Sequence, residues 1–343
     1  MQNFLPFLLP LTIVVCALFG IFLGGYWVYA GFVFAYFIHP TLDIIFGKEE
    51  VEPPVPESST AYNTLVWVYL PIQAFFLLTA LALCSVRNFS TWEIVGIILS
   101  LGSVTGGLGI TIAHELIHRK ERWERGLGVG LLLLVNYAHF RVEHVFGHHK
   151  HVATPLDPAT ARKGEKVYFF LVRSTIQSWI SAWKIESKRL QRRSFIHRMT
   201  KHRIIQYSVV QSLLCLGVYL LFGSVALLVY LAQSVIAFEI LEAINYVEHY
   251  GLQRKEISPG VYEPVTELHS WDSRHKMTNW FLFNLGRHAH HHASPTVPYE
   301  KLRSGRTEHV LRHGYSTEML LTLFGKNSDP ESVKKANSRQ EVK

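Results

Sequence analysis

Long apolar runs alternate with polar stretches along the 343 residues of this chain. A bilayer core of about 30 Å needs roughly 20 apolar residues in one helix. Six runs reach about that length, at residues 4–23, 26–46, 65–86, 94–113, 204–222 and 225–244. We therefore expect an all-α membrane protein with six transmembrane helices, in which Gly24 and Gly25 form the tight turn between the first two.

Two polar blocks, residues 114–203 and 245–326, follow the fourth and sixth runs, and a polar tail covers residues 327–343. With six crossings, both blocks and the N-terminus fall on the same side of the membrane. Because the first block is rich in Lys and Arg, the positive-inside rule places that side in the cytoplasm. We predict a single integral-membrane domain, residues 1–343, with cytoplasmic termini and a helical cap in the cytoplasm.

The composition supports a membrane location. Hydrophobic residues make up 49% of the chain and charged residues 17%, whereas soluble chains are about 25% charged. Cys16, Cys84 and Cys215 each lie in an apolar run, so we expect buried thiols and no disulfide framework. The net charge is +8, and the Lys and Arg residues are concentrated in the polar block 114–203. We therefore expect membrane lipid as a partner and no nucleic acid.

The chain contains 19 histidines, and many of them form four clusters at helical spacing. His114 and His118 share a helix face if the fourth run continues as a helix, because residues four apart are neighbours. His144 and His148 have the same spacing, and His149 points about 100° away. That triple can serve one metal ion or connect two.

The third cluster contains His249, and the fourth contains His288, His291 and His292 at positions i, i+3 and i+4. Imidazole suits iron, copper, zinc and nickel alike, so the ligand type does not name the metal. Six other histidines are interpreted as surface or core residues, namely His39, His139, His197, His202, His309 and His313. His151, His269 and His275 lie nearer the clusters and are expected either to contact ligand rings or to be solvated.

Two other classes of protein also bind metals through histidines. His114, Glu115 and His118 match the helix signature of zinc proteases, but one zinc needs only one further ligand and leaves the other clusters unexplained. A metal transporter or storage protein would place its ligands near the membrane midplane. Here the clusters lie at the ends of the apolar runs and beyond them, which disfavours that class.

The chain resembles a known family, the integral-membrane alkane 1-monooxygenases of the fatty-acid desaturase and hydroxylase superfamily. The matching stretches are residues 114–118, 143–149, 152–158, 245–252, 269–273 and 285–292. The Asn245-Tyr246-Val-Glu248-His249-Tyr-Gly stretch is typical of the alkane hydroxylases among these enzymes.

The resemblance implies a six-helix bundle in the cell inner membrane, whose cytoplasmic cap holds two iron ions. It also implies activation of O2 and hydroxylation of a terminal methyl group to give a primary alcohol from an alkane-like substrate. The electrons would come from rubredoxin, or a ferredoxin, and its NADH-dependent reductase. The relatives within the superfamily leave two alternatives, a fatty-acyl desaturase and a xylene-type methyl hydroxylase.

Carried over by position, the resemblance implies nine iron ligands: His114, His118, His144, His148, His149, His249, His288, His291 and His292. The fourth motif departs from the family pattern at Gly286, Ala289 and His290, where Gln, Ser and Asp are usual. His290 is therefore a candidate either to replace the missing carboxylate beside the ligands or to bind metal itself.

Further candidates surround these ligands. Glu115, Glu143, Asp157 and Glu248 are expected either to accept an N–H from a ligating imidazole or to be charges on a helix surface. Three small residues, Gly31, Ala35 and Gly102, are expected either to leave room for a substrate chain or to allow close helix packing.

Overall fold

The structure is a computed structural model that describes residues 4–326 and consists almost entirely of helices. The helices, in chain order, are α1 (Leu5–Leu23), α2 (Gly25–Phe46), α3 (Thr60–Val86), α4 (Thr91–Ile117), α5 (Arg122–Leu133), α6 (residues 140–151), α7 (Val167–Leu190), α8 (Phe195–Lys201), α9 (Arg203–His249), α10 (Lys276–Phe281), α11 (His288–Ala293) and α12 (Tyr315–Leu323). A short antiparallel hairpin pairs β1 (Glu256–Ser258) with β2 (Val261–Tyr262). The polar tail from residue 327 lies outside the described residues.

Within residues 4–326, five helices are long and apolar enough to cross a membrane: α1, α2, α3, α4 and α9. A helix satisfies its own backbone hydrogen bonds, which is the condition for lying in hydrocarbon. The short apolar run that follows α4 forms only the 12-residue helix α5. The structure therefore has the helical, membrane-type architecture that the apolar runs indicate.

Helix α9 is 47 residues long and folds back on itself at Gly223. Gly223 has φ 84° and ψ −175°, a left-handed conformation that favours glycine. Cys215 Sγ lies 3.9 Å from Oδ1 of Asn136, and Ser234 Oγ lies 3.0 Å from Nδ2 of the same side chain. In a straight helix, residues 215 and 234 would be about 28 Å apart. The first arm (residues 203–222) and the second arm (residues 224–249) are therefore antiparallel.

The turn after α1 and the loop before α4 meet at one end of the bundle. The Arg87 guanidinium donates to the carbonyls of Ile21 and Phe22. The Gly25 N–H donates to Glu93 Oε1 over 2.7 Å. Because α4 is 27 residues long, its histidine-bearing end is about 40 Å away, at the opposite end of the bundle.

Gly31 and Gly102 lie at close helix contacts. A Cβ on Gly31 would come within 2.8 Å of Ala17 Cβ, and a Cβ on Gly102 within 2.5 Å of Ile236 Cβ. Small residues of this kind let helix backbones approach in the membrane. Of the two roles expected for these small residues, the structure thus shows close helix packing for Gly31 and Gly102. Ala35 instead lines a cavity.

Within residues 4–326, π-helical turns interrupt three helices, at Phe34–Ile38, Thr105–Ile110 and His144–His148. Each π-turn contains one more residue than an α-turn and shifts the register of the side chains that follow it. The first two line one cavity, and the third carries histidines. The irregular turns are thus concentrated near the site described next.

Candidate metal centre and substrate cavity

The predicted ligand histidines lie on four separate elements. His114 and His118 lie at the end of α4, and His249 ends the second arm of α9. Helix α6 carries three of the others and α11 carries the remaining three. The structure brings all nine together in two adjacent groups whose ligand atoms lie within 4.8 Å of one another inside each group.

The larger group, here called the five-histidine group, contains His114, His118, His144, His149 and His291. His149 Nε2 lies 3.2 Å from His118 Nε2, 3.0 Å from His144 Nε2 and 3.2 Å from His291 Nε2. Nitrogens bound about 2.1 Å from one ion would have these separations at angles of about 90–105° at the ion. The ring nitrogens therefore converge as ligands of a common ion would.

The smaller group, here called the four-histidine group, contains His148, His249, His288 and His292. His288 Nε2 lies 3.3 Å from His249 Nε2 and 3.0 Å from His292 Nε2. His148 Nδ1 faces Asp157 Oδ2 at 2.9 Å, and His249 Nδ1 faces the carbonyl of His269 at 3.3 Å. An N–H donated from Nδ1 leaves Nε2 as the free lone pair, so these contacts aim two rings into the group.

The π-turn in α6 explains how its three histidines are divided. The His149 N–H donates to the carbonyl of His144, an i to i+5 bond. His144 and His149 therefore share one face and enter the five-histidine group, while His148 points into the four-histidine group. The rings of His144 and His148 remain stacked neighbours, with centroids 5.2 Å apart, but their ligand atoms enter different groups because the turn holds one extra residue. The triple connects the two groups.

Burial keeps the histidine rings of the site uncharged. Away from the membrane-spanning helices, burial lowers the pKa of six rings well below the ordinary value of 6.5, namely those of His118, His144, His149, His288, His291 and His292. These rings are neutral at pH 7, and each offers a lone pair. A set of neutral imidazoles this dense fits two divalent first-row ions, because otherwise many buried nitrogens would face one another without hydrogen atoms between them.

The four predicted carboxylates lie in different surroundings. Asp157 faces a ligand ring, as described, and Glu248 Oε2 lies 3.1 Å from Nε2 of His288, on the side where the rings converge. Glu115 pairs with Arg119 at 2.7 Å, and Glu143 lies 3.4 Å from Ser181. Burial raises the pKa of Glu143 well above its usual value. Of the four carboxylates, Asp157 and Glu248 thus contact ligand histidines.

His290 lies outside both groups. Its Nδ1 accepts the backbone N–H of Arg303 at 3.1 Å, and its ring is partly exposed. The carboxylate that holds α11 is instead Asp272, which accepts the N–H of Ala289 at 2.7 Å and that of Gly305 at 2.6 Å. Burial raises the pKa of Asp272 to about 6.

Sequence reasoning gave Asp272 no role, although it lies in the matched 269–273 stretch. It also missed the buried Arg287, which pairs with Glu49 of the acidic linker after α2 at 2.6 Å. Only the position of Arg287 next to His288 hinted at a structural role. The partners are 238 residues apart in the chain, so spacing alone could not pair them.

A mostly apolar cavity of about 70 Å³ reaches the five-histidine group. Ala35 of α2, Gly107 of α4, Met319 of α12 and His114 of the five-histidine group all line it. A Cβ on Gly107 would meet nothing within 4 Å, so this glycine leaves the cavity open. We call this space the metal-side cavity.

A second apolar space adjoins the metal-side cavity. Its walls come from α2, α4, α7, α9 and α12, and the two spaces share Tyr36, Ser103, Ile240 and Met319. Phe32 and Leu99, on helices long enough to cross a membrane, also line it. The two adjoining spaces together have walls from both the apolar helices and His114.

The comparisons with known proteins agree with this site. Residues 90–317 match the family model of the fatty acid desaturases. Alkane 1-monooxygenase 2 of Pseudomonas aeruginosa is 38% identical over 294 residues, which cover 83% of this chain and 78% of the relative. An alkane 1-monooxygenase of Pseudomonas putida is 35% identical over 324 residues, or 91% of this chain and 80% of the relative.

A more distant relative is the hydroxylase component of a xylene/toluene monooxygenase from Pseudomonas putida. It is 29% identical over 304 residues, which cover 87% of this chain and 79% of the relative. The alkane 1-monooxygenases are thus the more similar group, with the histidine-bearing region inside the match to the family model. The chain belongs to the fatty acid desaturase family and, within it, to the alkane 1-monooxygenases.

Proposed function

We propose that this protein is a membrane monooxygenase that hydroxylates the terminal methyl group of medium- or long-chain n-alkanes to 1-alkanols, using O2. The observation that carries the proposal is the metal-side cavity, which is mostly apolar and has His114 of the five-histidine group on its wall. A hydrocarbon has no polar group to recognise, so an apolar space beside a metal-binding group is the site it requires.

We further propose that the nine histidines hold two iron ions, five nitrogens facing one ion and four the other. When bound, the irons supply the O2 activation needed to break a strong methyl C–H bond, which no amino-acid side chain can break. Asp157 holds the ring of His148 in position, and Asp272 holds α11. The cavity walls exclude water and direct one end of the chain toward His114.

We propose that the chain forms one integral-membrane domain with six crossings, because α9 is long enough to cross twice and reverses at Gly223. The far-end turns at Gly24, Arg87–Ser90 and Gly223 contain one Lys or Arg, Arg87. The histidine end carries the basic block 114–203. The positive-inside rule then favours a cytoplasmic cap and cytoplasmic termini. We propose the cell inner membrane because the similar alkane 1-monooxygenases are bacterial.

Rubredoxin, or a ferredoxin, is the proposed electron donor, reduced in turn by an NADH-dependent reductase. Two electrons and two protons are needed for each O2 when one oxygen atom enters the alkane and the other leaves as water. The basic cap supports an acidic donor, because opposite charges steer association.

The test combines metal analysis with product analysis on purified protein in lipid. The sample is prepared with iron under reducing conditions, because nitrogen-rich sites otherwise favour zinc or copper. We expect two irons per chain and O2-dependent conversion of octane or hexadecane to the 1-alkanol. A single ion per chain, or no alcohol from any alkane tested, would contradict the proposal.

A second candidate is hydroxylation of the methyl group of an aromatic ring. The similarity to the xylene/toluene monooxygenase component favours it specifically. The same assay with xylene as substrate separates the two. Faster turnover of xylene than of any n-alkane would favour this second function, and an unsaturated product from a fatty acyl substrate would instead indicate a desaturase.

A further inference from the structure

A third cavity lies apart from the metal centre, between α7, both arms of α9 and residues 136–139. Its volume is about 340 Å³, at the lower end of the usual range for small-molecule sites. It shares no lining residue with either space that leads to His114. We call it the boundary cavity, for the reason given next.

The boundary cavity lies at the histidine end of the bundle, where membrane-spanning helices meet the cap. Helix α7 crosses both arms of α9 there: Ser174 bonds Glu242 of the second arm, and Ala182 packs on Ile204 of the first. On α7, Ile176 and Trp179 line the cavity and are 55% and 44% exposed. Exposed apolar and Trp side chains at this level are typical of a membrane–water interface.

Neutral polar groups line the inner part of the boundary cavity. Asn136, His139, Thr175, Ser208 and Gln211 all lie on its wall, and no Asp, Glu, Lys or Arg does. Burial lowers the pKa of His139 to about 3, so this ring is uncharged at pH 7. A phosphate or carboxylate head would find no cation on this wall to pair with.

One nitrogen in each of two of these side chains has no hydrogen-bond partner among the described residues. His139 is 8% exposed, and its Nε2 is buried without a partner among residues 4–326, as is Nε2 of Gln211. Buried polar atoms are almost always paired, so these two atoms indicate a missing donor or acceptor. A hydroxyl can both donate and accept, and so it can pair with an imidazole nitrogen and an amide N–H.

We infer that the boundary cavity binds an uncharged amphiphile with a hydroxyl head and an alkyl chain, and that its ligand is a long-chain primary alcohol. The choice of alcohol rests on the proposed function, since that alcohol is the product. The hydroxyl lies among His139 and Gln211, and the chain lies against Ile176 and Trp179.

The position of the cavity suits a product on its way to the membrane. One wall is a stacked pair, Tyr137 and Phe238, with ring centroids 4.8 Å apart. Phe140 follows Tyr137 by one helical turn and stacks on His144 of the five-histidine group at 4.5 Å. A thin aromatic layer thus lies between the metal centre and the boundary cavity. The cavity can form hydrogen bonds with an alcohol but not with an alkane.

The test uses the full chain in phosphatidylcholine nanodiscs and a dodecanol analogue with a photoreactive diazirine in its chain. We expect cross-links to peptides within residues 136–139, 175–179 and 204–211. Excess 1-dodecanol should suppress them, whereas dodecane and dodecanoate should be at least tenfold weaker competitors, because dodecane lacks the hydroxyl and dodecanoate carries a charge that no cation on this wall pairs with. Cross-linking that dodecanol does not suppress, or that dodecane suppresses equally, would overturn the inference.

Gln211→Leu removes the amide at the cavity and keeps a similar volume. We expect about tenfold weaker labelling, again the effect of one hydrogen bond. Gln206→Leu is the matched control on the same arm, because Gln206 is exposed and bonds the carbonyl of Thr200. Unchanged labelling in Gln211→Leu would count against the site, and His139→Phe provides an independent second variant.

The same nanodiscs report on alkane hydroxylation, so the two proposals can fail separately. Alcohol labelling that needs Gln211, with no alkane turnover, would keep the site and reject the proposed reaction. Alkane turnover with labelling elsewhere would keep the reaction and reject the site.

Discussion

Two carboxylates contact the proposed ligand rings at different atoms. Asp157 faces Nδ1 of His148, the nitrogen that points away from the four-histidine group, at 2.9 Å. Glu248 faces Nε2 of His288 at 3.1 Å, on the side where the rings converge. A change in Asp157 should therefore alter how a ring is held, whereas a change in Glu248 alters the atoms that face the ion.

Asp157→Asn should weaken metal binding in the four-histidine group about 10- to 100-fold, the usual cost of losing a carboxylate behind a ligating imidazole. The measurement is the iron content after dialysis against a graded chelator series. Glu143→Gln is the matched control, since Glu143 contacts Ser181. An equal loss of iron in both variants would show that general damage, and not the contact with His148, is responsible.

Ala35→Trp should shift the preferred substrate to shorter alkanes, because the indole would fill part of the metal-side cavity that Ala35 lines. The measurement is the relative rate on a series of n-alkanes. Phe37→Trp is the control, as Phe37 lies on the same helix, is 61% exposed and does not line the cavity. An unchanged chain-length preference in Ala35→Trp would remove Ala35 from the substrate path.

At the residue scale, the sequence identified the histidines but not how they are divided. Helical spacing correctly kept His114 with His118 and His288 with His292. It did not show that His144 and His148, or His288 and His291, enter different groups. For the first pair the reason is a one-residue π-turn, which cannot be recognised from apolar periodicity. The role of Asp272 could not be predicted, because the two N–H groups that it accepts are brought close only by folding.

At the scale of elements, α11 is short and depends on its surroundings. It has six residues, too few to be stable alone, and its N-terminal part is held by Asp272. The neighbouring Arg287 is buried and bonds Glu49 and the carbonyl of Leu302. Three of the nine histidines thus depend on contacts made outside their own helix.

Asp272→Ala should leave the N–H groups of Ala289 and Gly305 without partners, at about 1–3 kcal/mol for each buried group. We expect a lower thermal unfolding midpoint and faster loss of metal from both groups. Asp272→Asn retains one acceptor oxygen and should fall between the wild type and Asp272→Ala. Equal unfolding midpoints for all three proteins would contradict the role given to Asp272.

The positions of the long helices were largely predictable from the sequence, whereas the irregular turns within them were not. Apolar length alone located α1 to α4, and Gly24 correctly marked the first turn. The reversal at Gly223 lies between the two apolar runs expected at 204–222 and 225–244. The irregular turns at Phe34–Ile38 and Thr105–Ile110 left no recognisable pattern, because their side chains remain apolar or small.

At the scale of the molecule, charge is segregated to one end. The far-end turns pack through Arg87 and Glu93, while the basic residues collect near the histidines. Exposed Ser224 lies just beyond the Gly223 turn, and exposed Ser194 lies in the basic block. These two positions can therefore report on the orientation of the chain.

Single cysteines at positions 194 and 224, in a background where Cys16, Cys84 and Cys215 are serine, should label from opposite sides. With a membrane-impermeant maleimide we expect Ser224→Cys to react in intact spheroplasts and Ser194→Cys only in inverted vesicles. Each variant serves as the control for the other. Labelling of both positions from one side would reject the proposed six-crossing topology.

Donor-supported turnover should fall as salt rises, because the Debye length shrinks from about 10 Å at 0.1 M to about 3 Å at 1 M. The measurement is alkane hydroxylation driven by reduced rubredoxin across that range. Turnover driven by a small uncharged reductant is the control and should stay flat. A flat response with rubredoxin would reject electrostatic steering by the basic cap.

The distribution of the histidines over α4, α6, α9 and α11 has a consequence for biogenesis. A ribosome that has released residues up to the end of α9 has already supplied four of the five rings of the larger group, but only His148 and His249 of the smaller one. Synthesis of α11 then adds His291 to the first and both remaining rings to the second. Metallation during translation should accordingly be sequential, and chains truncated before residue 288 should retain one ion weakly and the other not at all.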